Sequence, residues 1–474
     1  MKLKLFQFLL AVLFAAPAFA QGNKSWNLQQ CVDYALQHNI QVLQSGINVE
    51  ISKIDLLQSK ANVLPNINAS ASHQYNFGQT IDRFTNQFAN DKVLSQNFFL
   101  SSNIVLFQGL QNWNTIRQNL FALNASRYQV DKTKNDIALS VATAYLQVLF
   151  AQENYDNTKG QSDVTREQVK RTEKLVNVGN AAKGNLLDIQ SQLAQEELAV
   201  VNAENQLSLS YLTLTQLMNL DSISGFRIDR PKLDVPSESI LAISAEQVYQ
   251  LAVSTQPGVK SAEMNYKSAD KAVDVAWGSL SPSLTLSGGY GTGYSGASKE
   301  VSDYTWNGAY DTTGVTSGGQ LTLVPHFDYN LTTIPFSEQL DNNLNKSFGF
   351  QLNIPIFNRL QVHTSIERAE LQRENARLNL ELSKQQLLKD IRQAHADAIA
   401  ALSRYKASEK ALDAMRESFK YTEQRFLAGL VNAIDFNTAK NNLARTESEL
   451  LQARFDFIFK LKVLDYYQGK PISF

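Results

Sequence analysis

The sequence predicts an α+β membrane protein made of long antiparallel α-helical hairpins and four membrane-crossing β-strands per chain, arranged as an internal tandem repeat. Three observations carry this. Stretches with one oily and one wet side run directly into very long helical stretches. The order of elements recurs at fixed spacing. No stretch after the N-terminus has the pattern of a transmembrane helix, so entry into a membrane would have to use strands.

The alternation is clearest where Phe348, Phe350, Leu352, Ile354 and Ile356 share one side and Gly349, Gln351 and Asn353 the other. After Phe357 the period becomes helical for about seventy residues with almost no Gly or Pro. The same junction occurs at 100–112, where Asn103 matches Asn353 and Phe107 matches Phe357. Pro355 is expected to support a sharp change of direction there; its counterpart in the first copy is Val105.

The chain has 474 residues, enough for two or three ordinary domains. Lys and Arg total 44 against 45 Asp and Glu, and no basic excess points to nucleic acid. A single cysteine, Cys31, excludes an intrachain disulfide and any multi-cysteine metal site. It lies on an apolar helical stripe with Leu28, Ala35 and Leu36 and is read as a buried thiol. The five histidines have no ligand spacing, and no nucleophile and base can be grouped, so no catalytic residue, cofactor site or metal site is predicted. The Gly291, Gly293, Gly296 spacing fits a dinucleotide fingerprint but lacks a βαβ unit and is set aside.

In chain order, Lys2 and Lys4, an apolar run and Ala18-Phe19-Ala20 read as an export signal over 1–20. Residues 21–220 form the first copy: a helix over 28–62, strands at 66–77 and 94–106, a helix over 110–178 and a helix over 186–218. The helix over 110–178 would be about 100 Å long. Its seam runs through Ile137, Val141, Ala144, Val148 and Ala151. Residues 221–244, with Pro231 and Pro236, form a linker. Residues 245–474 form the second copy, with strands at 283–294 and 348–356 and a longer extracellular loop at 288–345. A shift of 217 residues lays 28–75 on 245–292, and a shift of 250 lays 100–219 on 350–469, each without a gap.

Each strand has about the 9–11 residues a tilted strand needs to cross an outer membrane. A soluble half-buried sheet would need another apolar element as cover, and the helical stripes are already used in packing. Four strands are too few to close a barrel, so the barrel must be shared between chains; three chains would supply twelve strands. Asn66, Asn68, Ser70, Gln351 and Asn353 would face a wet lumen.

The proline before each first strand (LPNI at Leu64, SPSL at Ser281), the junctions IVLFQG and IPIFNR, and the turns VNVGN and FLAGLVNAIDF occur in doubled order. In these features the chain resembles the TolC-type outer-membrane efflux and secretion channels over nearly all of its length. The resemblance implies a homotrimer with a twelve-stranded barrel in outer-membrane lipid and a periplasmic helical tunnel. It implies a periplasmic membrane-fusion adaptor and an inner-membrane pump as partners, and a passive conduit without cofactors. It carries adaptor docking onto Val178, Gly179 and Asn180 and onto Ala428, Gly429 and Leu430; an ordinary helix stop is the plain alternative for each glycine. It carries a periplasmic gate onto Asp435, with Asp188 at a matching place in the first copy. The family's second acidic gate position is Thr438 here, and its basic partner is Val431. A helix-start carboxylate favouring the dipole is the alternative for Asp435. Phe107, Pro355 and Phe357 are expected at the strand-to-helix junction, at the inner face of the outer membrane. The rival architecture is a periplasmic or secreted coiled-coil scaffold without a pore.

Overall fold

The structure is a computed structural model and describes residues 25–81, 88–89, 92–220, 225–231 and 243–470. The expected export signal and most of the expected linker lie outside the described residues. The chain forms two compact units, and each draws on both halves of the sequence. One consists of Ile54–Leu120 and Lys267–Glu374 and contains the strands; the other is helical.

In the helical unit, α1 (Leu28–His38) and α2 (Ile40–Ala61) replace the single helix expected over 28–62. Asn39 breaks it. Its backbone is extended, its side-chain amide donates to Leu217 O at 2.9 Å, and its Oδ1 accepts from Gln41 N–H. Tertiary anchoring therefore outweighs the local preference to continue the helix. Asn27 and Gln30 form a capping box at the start of α1.

Two helices of 67 residues follow the strands of each half: α3 (Gln111–Asn177), which turns into α4 (Lys183–Met218), and later α8 (Gln361–Leu427), which turns into α9 (Ala433–Tyr467). Between them α5 (Ala245–Thr255) is closed by a Ser244–Gln247 capping box, and α6 begins at Pro257, where a missing N–H is harmless, and runs to Gly278. Cys31 and Ala35 of α1 pack with Val141, Tyr145 and Val148 of α3 and with Leu214 and Met218 of α4. Ala394, Ala398 and Ala401 of α8 receive Phe457, Leu461 and Leu464 of α9. The alanines let the helix backbones approach, and each large side chain fully buried against them is worth about 1.5–3 kcal/mol. Burial pushes the Cys31 thiol up to about 12, so it remains an inert core group.

In the strand unit, β1 (Asn66–Asn76), β4 (Val93–Gln108), β5 (Ser283–Ser295) and β8 (Asn345–Asn353) form one antiparallel sheet in the order β1-β4-β5-β8. The short strands β2 (Thr80–Ile81) and β3 (Phe88–Ala89) pair with each other. The segment 288–345, expected as a loop, is largely ordered. After the end of β5 it contains a hairpin of β6 (Lys299–Val315) and β7 (Leu321–Thr333) and a short helix, α7 (Phe336–Asn342). The β6–β7 ladder slips register three times, which breaks the period-two signal in the sequence.

β8 ends at Asn353 instead of 356, because β5 starts at Ser283 opposite it and Pro355 has no N–H to donate. The chain does bend at Ile356, next to Pro355. The left-handed residues lie further on, at Arg359 and Leu360 (φ 55° and 62°), and in the first half at Gly109 and Leu110 (φ 57° and 60°). Gly109 is required: a Cβ there would lie 2.3 Å from Gly278 O and 2.7 Å from Ser281 Cβ. Gly179 also has positive φ but faces open space. Gly179→Ala should therefore cost about 1–2 kcal/mol for the left-handed backbone alone. Gly109→Ala should cost more, by at least about 1 kcal/mol for the backbone collision, with a larger fall in the thermal unfolding midpoint.

Candidate functional site

Cross-strand register assigns the sheet two chemically different faces. Asn66 and Asn68 stand opposite Asn103 and Ser101, and the same face continues through Ser287 and Thr285 to Gly349 and Gln351. Its polar groups bind one another: Asn66 Oδ1 accepts from Asn103 N–H at 2.8 Å, and the Asn97 amide donates to Ser72 Oγ at 3.2 Å. The expected lumen residues Asn66, Asn68, Ser70, Gln351 and Asn353 thus share one side. Phe99 also lies there, which alternation alone did not single out. It covers Gly289 and Gly291, where added Cβ atoms would come within 3.0 and 2.7 Å of its ring.

The other face carries Ile67, Phe98, Leu100, Leu286, Phe350 and Leu352. These apolar groups reach an extreme on β8, where Phe348 is 84% exposed. Among the described residues, the outer edges of β1 and β8 have no partner strand. Phe107, Pro355 and Phe357 lie where the strands give way to the helices, and Phe357 and its neighbour Ile356 (95%) are exposed. Among the described residues no helix is long and apolar enough to cross a membrane.

The two helix turns have the same local chemistry. Gly179 (φ 80°) donates to Val176 O and Asn180 to Leu175 O; Gly429 (φ 72°) donates to Phe426 O and Leu430 to Arg425 O. Each is a Schellman stop with its glycine in the left-handed position. Val178 and Leu430 are about seven-tenths exposed (69% and 70%), so the tips present apolar side chains. Asn432 caps α9 by accepting from Asp435 N–H at 2.8 Å. Asp435 and Asp188 are both exposed. Both lie on the tip side of a contact between α4 and α9, in which the Gln192 amide donates to Asn441 Oδ1 at 2.9 Å.

Beside that contact is a buried group that sequence reasoning missed. Lys440 (5% exposed) faces Glu196 (7%) at 3.5 Å, donates to Thr165 Oγ1, and Thr165 in turn donates to Glu196. The cluster thus ties α3, α4 and α9 together. Burial pulls Lys440 below the usual lysine range, and the Glu196 carboxylate pulls it back up. Phe436, one turn before Lys440, stacks on Phe426 at 4.5 Å. A lysine one turn beyond a core phenylalanine was the available signal, but its partners lie 275 and 244 residues away. Lys440→Met should leave Glu196 buried without its counter-charge and destabilise the helical unit by about 3–5 kcal/mol in thermal unfolding. The double variant Lys440→Met, Glu196→Leu should recover most of that loss.

The family model described as outer membrane efflux protein matches residues 31–220 and 248–458. The chain is similar to the outer membrane protein TolC of Vibrio cholerae, with 23% identity over 443 residues covering 94% of this chain and 90% of that protein. It is 22% identical over 447 residues to the toxin and drug export protein A of Aggregatibacter actinomycetemcomitans, covering 92% of this chain and 84% of that one. Among solved structures, the outer membrane protein VceC of Vibrio cholerae superimposes with a TM-score of 0.71 at 15% identity, over 94% of this chain and 97% of that one. A two-faced antiparallel sheet carried with long paired helices is thus a fold this chain shares with such proteins, and by the match over both halves of its sequence it belongs to the outer membrane efflux protein family.

Proposed function

We propose that the chain is one subunit of a trimeric outer-membrane channel, a passive conduit for substrates delivered by an inner-membrane pump and a periplasmic membrane-fusion adaptor. The observation that carries this reading is the four-stranded sheet with an apolar face, an uncharged polar face and two open edges. In hydrocarbon, open edges are not tolerated, and three such sheets supply the twelve strands of a closed barrel. The apolar faces meet outer-membrane lipid and the polar faces line a wet pore. The long helix pairs form the periplasmic tunnel.

The tandem repeat supports this assembly and gives its register. Shifts of 217 and 250 residues carry the Asn66–Asn103 pair of the first hairpin onto the Ser283–Asn353 pair of the second. They likewise relate the two capping boxes, the two left-handed junctions and the two Schellman turns. Residues 21–220 and 245–474 are then two copies of one design, joined by a linker at 221–244 and preceded by a signal at 1–20. Applied to the Asn103–Ser287 pair of β4 and β5, the same shifts place Asn353 opposite Ser70 of the partner subunit.

The turns at Val178, Gly179 and Asn180 and at Ala428, Gly429 and Leu430 dock the adaptor through their exposed apolar side chains, with Leu427 (73% exposed) adding to the second. Asp435, with Asp188, lines the gate near the tips. The similarity to a toxin and drug export protein supports a cargo that leaves the cell.

Two measurements test the reading. Cysteines at Asn353→Cys and Ser70→Cys should cross-link subunits into covalent dimers and trimers on oxidation, whereas absence of any intersubunit product in the purified oligomer would overturn the shared barrel. Asp435→Ala should raise closed-state single-channel conductance and weaken cation block; unchanged values would remove Asp435 from the gate.

A further inference from the structure

The β6–β7 hairpin is an amphipathic ribbon without a partner sheet among the described residues. On β7, Leu321, Leu323, Pro325, Phe327, Tyr329 and Leu331 alternate with Thr322, Val324, His326, Asp328, Asn330 and Thr332. Opposite the first set stand Val301, Tyr304, Trp306, Tyr310 and Val315. The register slips keep this apolar set together. Tyr304 meets Phe327 edge-on at 5.3 Å, and Trp306 meets Tyr310 at 5.9 Å. On the other face His326 bridges Asp311 (2.7 Å) and Asp328 (3.7 Å), and the remaining acidic groups are Asp303 and Glu300. Beyond Lys299 at its base, the hairpin has no Lys or Arg.

Three observations limit what can cover the apolar face. First, the hairpin is rooted on the apolar side of the sheet. Ile334 N–H donates to Ser298 O and closes its base; two residues on, Phe336 packs on Phe98 and Tyr294, which lie on the sheet's apolar face. Second, Tyr and Trp combine an apolar body with a polar tip, which suits the headgroup boundary of a bilayer. Third, β6 has 17 residues, an extended length of about 55 Å, well above the roughly 30 Å of hydrocarbon that a bilayer offers. The ribbon cannot be an upright span, and standing in water would leave its aromatic face wet.

Resting on the reading of the chain as an outer-membrane channel, we propose that the β6–β7 hairpin lies along the outer leaflet, with its aromatic face in the lipid headgroup region and its carboxylates turned to water. The acidic face has no Lys or Arg with which to bind anionic headgroups, so the apolar face makes the contact. A neighbouring subunit's hairpin is the other surface that could cover it. That arrangement would turn the apolar faces inward over the pore, away from the side on which the hairpin is rooted.

The test uses the full chain reconstituted into phosphatidylethanolamine and phosphatidylglycerol vesicles whose acyl chains are brominated near the headgroup. The four tryptophans are Trp26, Trp113, Trp277 and Trp306, and the Trp306 signal is the difference between the native protein and Trp306→Phe. Bromination should quench that difference signal about twofold or more. An unquenched signal in vesicles that still conduct would overturn the lipid contact and leave the channel reading intact. In a second arm, efficient disulfide cross-linking of Tyr304→Cys between subunits would assign the face to a neighbouring hairpin and overturn the proposal. Vesicles that take up the protein but show no conductance would overturn the channel reading, and this proposal with it.

Discussion

Backbone N–H and C=O groups along the outer edges of β1 and β8 have no partner strand among the described residues, and hydrocarbon supplies none. That constraint organises the proposed assembly. A sheet with one apolar face is stable in lipid only if its edges meet other strands, so in the proposed assembly the unit that folds as one chain is completed by its copies. The same logic extends to the helices. Ile40, Leu43, Ile47, Ile51, Ile54 and Leu57 form an exposed apolar stripe along α2, spaced for packing against another helix. An isolated chain leaves that stripe wet; neighbouring subunits in a closed ring would cover it.

Two kinds of cohesion operate in the helical unit. Through most of its core, small and large apolar side chains alternate, as with Ala394, Ala398 and Ala401 against Phe457, Leu461 and Leu464. Toward the turns polar contacts join it, Gln192 with Asn441 and Lys440 with Thr165 and Glu196, beside the Phe426–Phe436 stack. A buried ion pair adds little net stability compared with apolar packing, but it penalises any arrangement in which its members separate. It is therefore well placed to hold α4 and α9 in one register close to the proposed gate.

Much of the fold was legible because its signals are local. The alternation through Phe348, Phe350 and Leu352 and the seam through Val141, Ala144 and Val148 each repeat within a few residues. Gly179 and Gly429 mark turns by their tolerance of positive φ. Less of the site was legible. Asp435 and Asp188 were singled out by the family resemblance alone and their gate role is a proposal, whereas the partners of Lys440 come from distant segments, and no periodicity brings Thr165, Glu196 and Lys440 together. The β6–β7 hairpin was hidden for another reason: three slips in its register disguise an alternation that is continuous in space.

The sequence by itself determined the repeat, the two-sided strands, the long helices and the stop at each turn, since these depend on side-chain order and on local backbone freedom. Tertiary structure decided where the chain bends and what is paired. Asn39 breaks a helix because it binds Leu217 O of α4. Gly109 must be glycine because Gly278 and Ser281 occupy the space a side chain would need. After the bend at Ile356, Arg359 and Leu360 take a left-handed turn into α8. Each of these depends on a neighbour that is remote in the chain or on a backbone angle that residue type alone does not dictate.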